Sequence, residues 1–230
     1  EIGSGLVGSE MCIRDRLTTA LNKYAASDAV FTVDTGTPCI WSARFLCATM
    51  GRSMIASFNH GSMANAMPMA MGAQKEYPDR QVIALCGDGG LSMLLGDLIT
   101  IAQYKLPVKI VVYNNGCLDF IQLEMQAAGL IPWQIDLDNP SFSAVADAVG
   151  IKGFLLDKSS QVDQMVQTFL NYPGPALLDA HVDRDALALP PYISVGQAAD
   201  FSLSMMKQTF TGEIKQVWNT LAGNRKLFKP

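Results

Sequence analysis

Histidine is scarce in this chain: only His60 and His181 occur in 230 residues. A histidine-rich metal centre is thereby excluded, and a hydrolytic triad has very few choices of base. Cysteine is sparse and scattered, at positions 12, 39, 47, 86 and 117. The count is odd and no Cys-x-x-Cys pair appears, which predicts reduced core thiols rather than a disulfide framework or a zinc site. Charge is thin at 17%, and the net value of −4 leaves no basic face for a nucleic acid. No apolar run approaches the ~20 residues of a membrane-spanning helix. The N-terminal residues lack the apolar stretch of a secretory signal. These absences predict a cytoplasmic protein. What is plentiful is apolar residues, 49% of the chain, which suits a well-covered α/β core.

Residues 1–16, EIGSGLVGSEMCIRDR, show neither helical period nor strand alternation. Residues 6–15 resemble the conceptual translation of a sequencing-library transposon adapter. The expectation is that 1–16 are an assembly artefact and that the natural protein begins upstream of Leu17.

From Leu17 onward, short β-branched runs alternate with longer helical periods. Strands are expected at 29–33, 53–57, 81–86, 108–113, 153–156 and 176–180, and helices at 39–50, 63–76, 91–104, 142–149 and 161–170. Val-Lys-Ile-Val-Val-Tyr at 108–113 is the clearest strand, being nearly all β-formers. The rhythm predicts an α/β fold: a three-layer parallel sheet with helices on both faces over 17–190, followed by a helical C-terminal tail at 191–230. Pro190-Pro191 closes the sheet domain. In the tail Ile214, Val217, Trp218 and Leu221 share one helical face, and 225–229 is basic with apolar interleaving. Such a tail is a candidate for peripheral contact with an anionic membrane, or for covering the domain or a partner subunit.

The most informative stretch is Cys86-Gly87-Asp88-Gly89-Gly90, with Asn114-Asn115 at the end of the next strand. The glycines let the backbone turn sharply and approach a ligand. The helix that follows presents free N–H groups to a diphosphate. Asp88 offers a hard anionic oxygen and Asn115 a neutral carbonyl oxygen, both at strand C-terminal ends, the ligand edge of an open parallel sheet. Mg²⁺ favours such oxygen donors, completed by a backbone carbonyl, phosphate oxygens and water. A lone Gly-Asp-Gly is weak evidence, whereas strand, GDGG, helix, strand and NN together are specific.

Four segments carry a family resemblance: SFNHGSMANAMP at 57–68, CGDGGLSMLLGDL at 86–98, KLPVKIVVYNN at 105–115 and FIQLEMQAAG at 120–129. Residues 28–201 resemble the C-terminal, diphosphate-binding domain of the thiamine diphosphate-dependent pyruvate oxidases, most of all the flavin-containing, quinone-reducing pyruvate dehydrogenase that is a peripheral membrane enzyme in bacteria. The resemblance implies Asp88, Asn115 and the main-chain oxygen of Cys117 as magnesium ligands. It implies Gly89 and Gly90 as the diphosphate turn, and Gly61, Ser62 and Met63 as the stretch that holds the aminopyrimidine, with Met63 enforcing the bent cofactor conformation. The cofactor-contacting run extends over Asn115, Gly116, Cys117, Leu118, Asp119, Phe120 and Ile121, and Phe120 matches a residue that enters the active site on activation. His60 is a candidate for substrate contact or for capping the helix that follows it.

At the level of the whole protein the resemblance implies oxidative decarboxylation of pyruvate or a related 2-keto acid. Electrons would pass through FAD to quinone or oxygen, with acetate or acetyl phosphate as product. It also implies a homotetramer, an activating glutamate and most of the FAD site in domains outside these residues, and a fragment inactive by itself. The alternatives are a non-oxidative relative such as acetolactate synthase, or a cofactor-binding scaffold. The tail after Met206 departs from the lipid-binding peptide of the quinone enzymes.

Overall fold

The computed structural model describes residues 13–48, 51–184, 195–210, 217, 218 and 220. The chain divides into two compact units, Glu1–Asn115 with Asp138–Val182, and Gly116–Leu137 with Asp183–Pro230.

The first unit is built on six parallel strands: β1 (Val30–Val33), β2 (Ser53–Ala56), β3 (Val82–Gly87), β4 (Lys109–Asn114), β5 (Lys152–Leu156) and β6 (Ala176–His181), in the spatial order β2-β1-β3-β4-β6-β5. The central strands are buried along almost their whole length, whereas edge strands β2 and β5 are half-exposed. That is the pattern of a parallel sheet covered on both faces. Successive side chains of a strand point to opposite faces, and two cores result. Val82, Ala84, Cys86, Ile110 and Val112 pack with α3 (Ala66–Glu76), α5 (Asp97–Tyr104) and α7 (Phe142–Ala148) through Met67, Ala70, Leu98, Ile101, Phe142 and Ala146. On the other face lie α1 (Ile13–Tyr24), α2 (Thr37–Phe45) and α8 (Val162–Leu170). There the Thr18 and Tyr113 hydroxyls share a buried hydrogen bond of 2.8 Å. The fold is the expected three-layer α/β sandwich.

Helix limits depart from expectation for local reasons. The helix expected from Met63 starts at Ala66, because Ala64 takes φ 61°, a left-handed conformation no helix contains. The single helix expected over 91–104 is two, α4 (Asp88–Met93) and α5, broken where Leu94 leaves helical geometry at φ −123° and ψ 33°. The helix expected to reach 50 stops at Phe45, since Leu46 is extended. Helix α1 was not expected, and residues 13–16 form its first turn.

In the second unit α6 (Asp119–Ala127) packs with α9 (Val195–Phe210). Gly129 takes φ 71° and approaches Asp200 and Leu203 of α9, where a Cβ would touch them at 3.5–3.6 Å. Lys207 Nζ donates to the Gly129 carbonyl at 2.8 Å. Val217, Trp218 and Thr220 are helical. Pro190-Pro191, Ile214, Leu221 and the basic run 225–229 lie outside the described residues. Among the described residues no helix is long and apolar enough to cross a membrane.

Candidate functional site

Sheet order places a switch between β1 and β3. The chain leaves β1 for β2 on one side and then returns to add β3 on the other, so loops part at that point and open a crevice at the C-terminal edge. Asp34 follows β1 and Asp88 follows β3, so a carboxylate stands on each side of it.

Asp88 is 3% exposed and opens α4. Neutral amides hold it. The Gly89 N–H donates to Oδ1 at 2.9 Å, and the Asn115 N–H and Asn139 Nδ2 donate to Oδ2 at 3.2 and 2.8 Å. Asn139 also donates to Asn114 Oδ1 at 3.1 Å, and Asn114 Nδ2 donates to Asp179 Oδ1 at 3.0 Å. The fully buried Asp179 uses its other oxygen to accept the Phe142 N–H, at the first residue of α7, at 3.0 Å. A chain of hydrogen bonds thus runs from a helix start, through three side chains, to the Asp88 carboxylate.

Asp34, 1% exposed, organises the other side. Its Oδ1 accepts the Ala66 N–H at 2.8 Å and so caps α3. Thr32 Oγ1 donates to the Ala66 carbonyl at 2.7 Å, fixing the same turn. Asp34 Oδ2 is buried without a hydrogen-bond partner among the described residues. It occupies the room a side chain at position 90 would need, since a Cβ on Gly90 would sit 2.2 Å from it. Burial pushes the Asp34 carboxyl up to about 6, against the pull of the Ala66, Gly87 and Asn65 backbone amides.

The expected residues sort by unit. Asp88, Gly89, Gly90 and Asn115 come together at the end of β3 and β4. Gly61, Ser62 and Met63 precede α3. Gly61 takes φ 69° and donates its N–H to the Ser57 carbonyl at 2.8 Å, and Asn65 Nδ2 donates to the Ser62 carbonyl at 2.5 Å. Met63 is therefore a loop residue rather than a helical one. His60 is exposed and does not cap α3; the carboxylate on its first amide is Asp34.

Gly116, Cys117, Leu118, Asp119, Phe120 and Ile121 belong to the second unit. There Cys117 is buried, forms an antiparallel bridge with Asp136, and donates its thiol to Gln122 Oε1 at 3.2 Å. Gly116, at φ 66°, accepts the Leu137 N–H at 2.9 Å, and the Leu118 N–H donates to the Ile135 carbonyl at 2.8 Å. Asp119 starts α6, with Phe120 and Ile121 exposed on its first turn.

Sequence reasoning assigned no role to Asp34, Asn114, Asn139 or Asp179. Asp179 carried a signal, as the lone charge in an apolar strand, Ala-Leu-Leu-Asp-Ala. Asp34 carried a weaker one in Asp-Thr-Gly at a strand end. Asn139 carried none.

The donors suit a hard divalent cation with a diphosphate. Asp88 is a buried carboxylate that accepts from the amides of Gly89, Asn115 and Asn139, and Gly90 has no room for a side chain. Among the described residues no group of three or more His, Cys, Asp or Glu side chains is placed to hold a metal ion.

Comparison with known proteins agrees. The chain is 33% identical to a thiamine pyrophosphate-containing protein, YdaP, of Bacillus subtilis over 93% of its own length and 37% of that protein's. It is 36% identical to the acetolactate synthase large subunit of Porphyra purpurea and 33% identical to the pyruvate oxidase of Lactiplantibacillus plantarum, each over 72% of this chain and 28% of the relative. It thus spans about a third of the length of these relatives. Residues 34–180 match the model of the thiamine pyrophosphate enzyme C-terminal TPP-binding domain, from the carboxylate after β1 to the end of β6, and the chain belongs to that family.

Proposed function

We propose that the chain is the C-terminal cofactor-binding portion of a thiamine diphosphate- and FAD-dependent pyruvate oxidase, acting on pyruvate or a related 2-keto acid with quinone or oxygen as electron acceptor. The observation that carries the cofactor half is the Asp88 carboxylate, buried and aligned by Gly89, Asn115 and Asn139 at the switch between β1 and β3. The oxidase half is supported by segment 57–68, whose resemblance to that group is more specific than the general GDGG motif.

Asp88 and Asn115 would hold Mg²⁺, and the Gly89–Gly90 turn would receive the diphosphate. Residues 61–63, with Gly61 in a left-handed turn, would receive the aminopyrimidine. Thiamine diphosphate, when bound, supplies the electron sink for loss of carbon dioxide from a 2-keto acid. The chain's own part is to hold charge and orientation, a contribution that rises as water is excluded from the crevice. Asp34 holds the start of α3 and Asp88 the start of α4 through backbone amides.

A second reading, acetolactate synthase, is favoured by identities of 30–36% to several such enzymes, a range that brackets the 33% to the pyruvate oxidase. Full-length protein separates the two. Bound FAD whose absorbance bleaches on anaerobic addition of pyruvate supports the oxidase. Acetolactate formation with the flavin unchanged, or with no flavin bound, overturns it.

A further inference from the structure

Asp34 has features that capping α3 does not by itself require. A cap needs one acceptor, and Oδ1 supplies it to Ala66. Asp34 Oδ2 is nevertheless shut away from water against the backbone of Gly90, with Ala64 N as the next backbone atom close to that spot, 3.3 Å from where a Cβ of residue 90 would lie. Its carboxylate therefore stands between two loops distant in sequence: 61–66, entering α3, and 87–90, entering α4. The loops are bound in other ways on their outer sides, Asn65 back to Ser62 and Asp88 to Asn115 and Asn139. Asp34 touches both, through the Ala66 amide on one side and the Gly90 backbone on the other.

We propose that Asp34 is a positioning residue that ties the aminopyrimidine loop to the diphosphate turn, so that the two halves of the cofactor site are set by one side chain. This rests on the thiamine diphosphate reading above. A rigid group bridging two subsites matters most to a ligand that occupies both, because each half then finds the other already in place. A ligand that occupies only the turn depends chiefly on Asp88 and the amides that hold it, Gly89, Asn115 and Asn139, whereas Asp34 meets that turn only along its backbone.

The test uses the 230-residue chain and two probes with Mg²⁺, thiamine diphosphate and inorganic pyrophosphate, each titrated by calorimetry. Asp34→Asn keeps the shape and one acceptor but places an NH₂ or an uncharged oxygen at the junction. It is expected to weaken thiamine diphosphate binding about tenfold, within the range seen for outer-sphere positioning groups, and pyrophosphate binding by less than about threefold. Equal losses for both probes, or none for either, overturn the proposal, because a general loosening of the fold does not discriminate between them.

Hydrogen exchange on the wild-type chain decides the matter if the variant does not fold. Pyrophosphate with Mg²⁺ is expected to slow exchange at the Ala66 amide as well as at Gly89, although Ala66 lies on the other loop. Protection of Gly89 with Ala66 unchanged overturns the coupling. A wild-type chain that binds neither probe overturns the cofactor reading itself, and this assignment with it.

Discussion

A carboxyl group walled in by apolar strands prefers to be neutral, and Asp34 shows it. Its pKa of about 6 stands above the ordinary 3.8, so the folded chain takes up this proton before the unfolded one as pH falls. The stability Asp34 contributes is fully present below about pH 4 and is lost as pH rises through about 6. The Cys86 thiol faces it and is itself pushed well up, by burial first and by Asp34 second, so it remains neutral over that window. Urea midpoints measured from pH 4 to 7 are expected to fall across this range in the wild type, and Asp34→Asn is expected to flatten that limb. Across the crevice the relevant group is Asn139. Asn139→Ala should weaken Mg²⁺ binding in the presence of thiamine diphosphate about 10- to 100-fold, and Asp88→Ala should abolish it. Calorimetry showing unchanged affinity in Asp88→Ala would end the case for a metal ligand there.

Helix α7 shows how an element start is shared between stability and site. Its cap, Ser141, accepts the Ala144 N–H at 3.3 Å, in an exposed and ordinary way. Asp179 holds the same helix start from below and continues to Asn114. Ser141→Ala is expected to cost about 1 kcal/mol. Asp179→Ala leaves a buried N–H and an amide unpaired and should cost about 3 kcal/mol, read from equilibrium urea unfolding. The strands were legible in the sequence because each is a short apolar run bounded by turn residues, and all six appear within a residue or two of expectation. Helix limits were less so. The start of α3 depends on Ala64 at φ 61°, a conformation imposed by neighbours and carried by a residue that otherwise favours helices. The break between α4 and α5 falls in Met-Leu-Leu, where propensity predicts continuity. At the site, Asp88 and Asn115 were readable because glycines and strand ends flag them. Asp34, Asn139 and Asp179 act through contacts between segments far apart in sequence, and periodicity within one segment does not report those.

For the molecule as a whole, the sheet unit presents one organised edge, and the chain spans about a third of its relatives' length. On the proposed function, the activating carboxylate comes from a residue other than those placed at this site. The purified 230-residue chain, supplied with Mg²⁺, thiamine diphosphate and pyruvate, is therefore expected to release carbon dioxide no faster than buffer does. Turnover measured by trapped labelled carbon dioxide would show instead that these residues suffice. The occupancy of the space beside Gly90 by Asp34 Oδ2 also reaches beyond a single molecule. A methyl group at 90 becomes tolerable only where residue 34 is shortened, and a shortened residue 34 leaves the first amide of α3 bare. Each change alone is penalised, so in a lineage of such proteins Asp34 and Gly90 should be kept together, and residue 90 should depart from glycine only where residue 34 has been shortened.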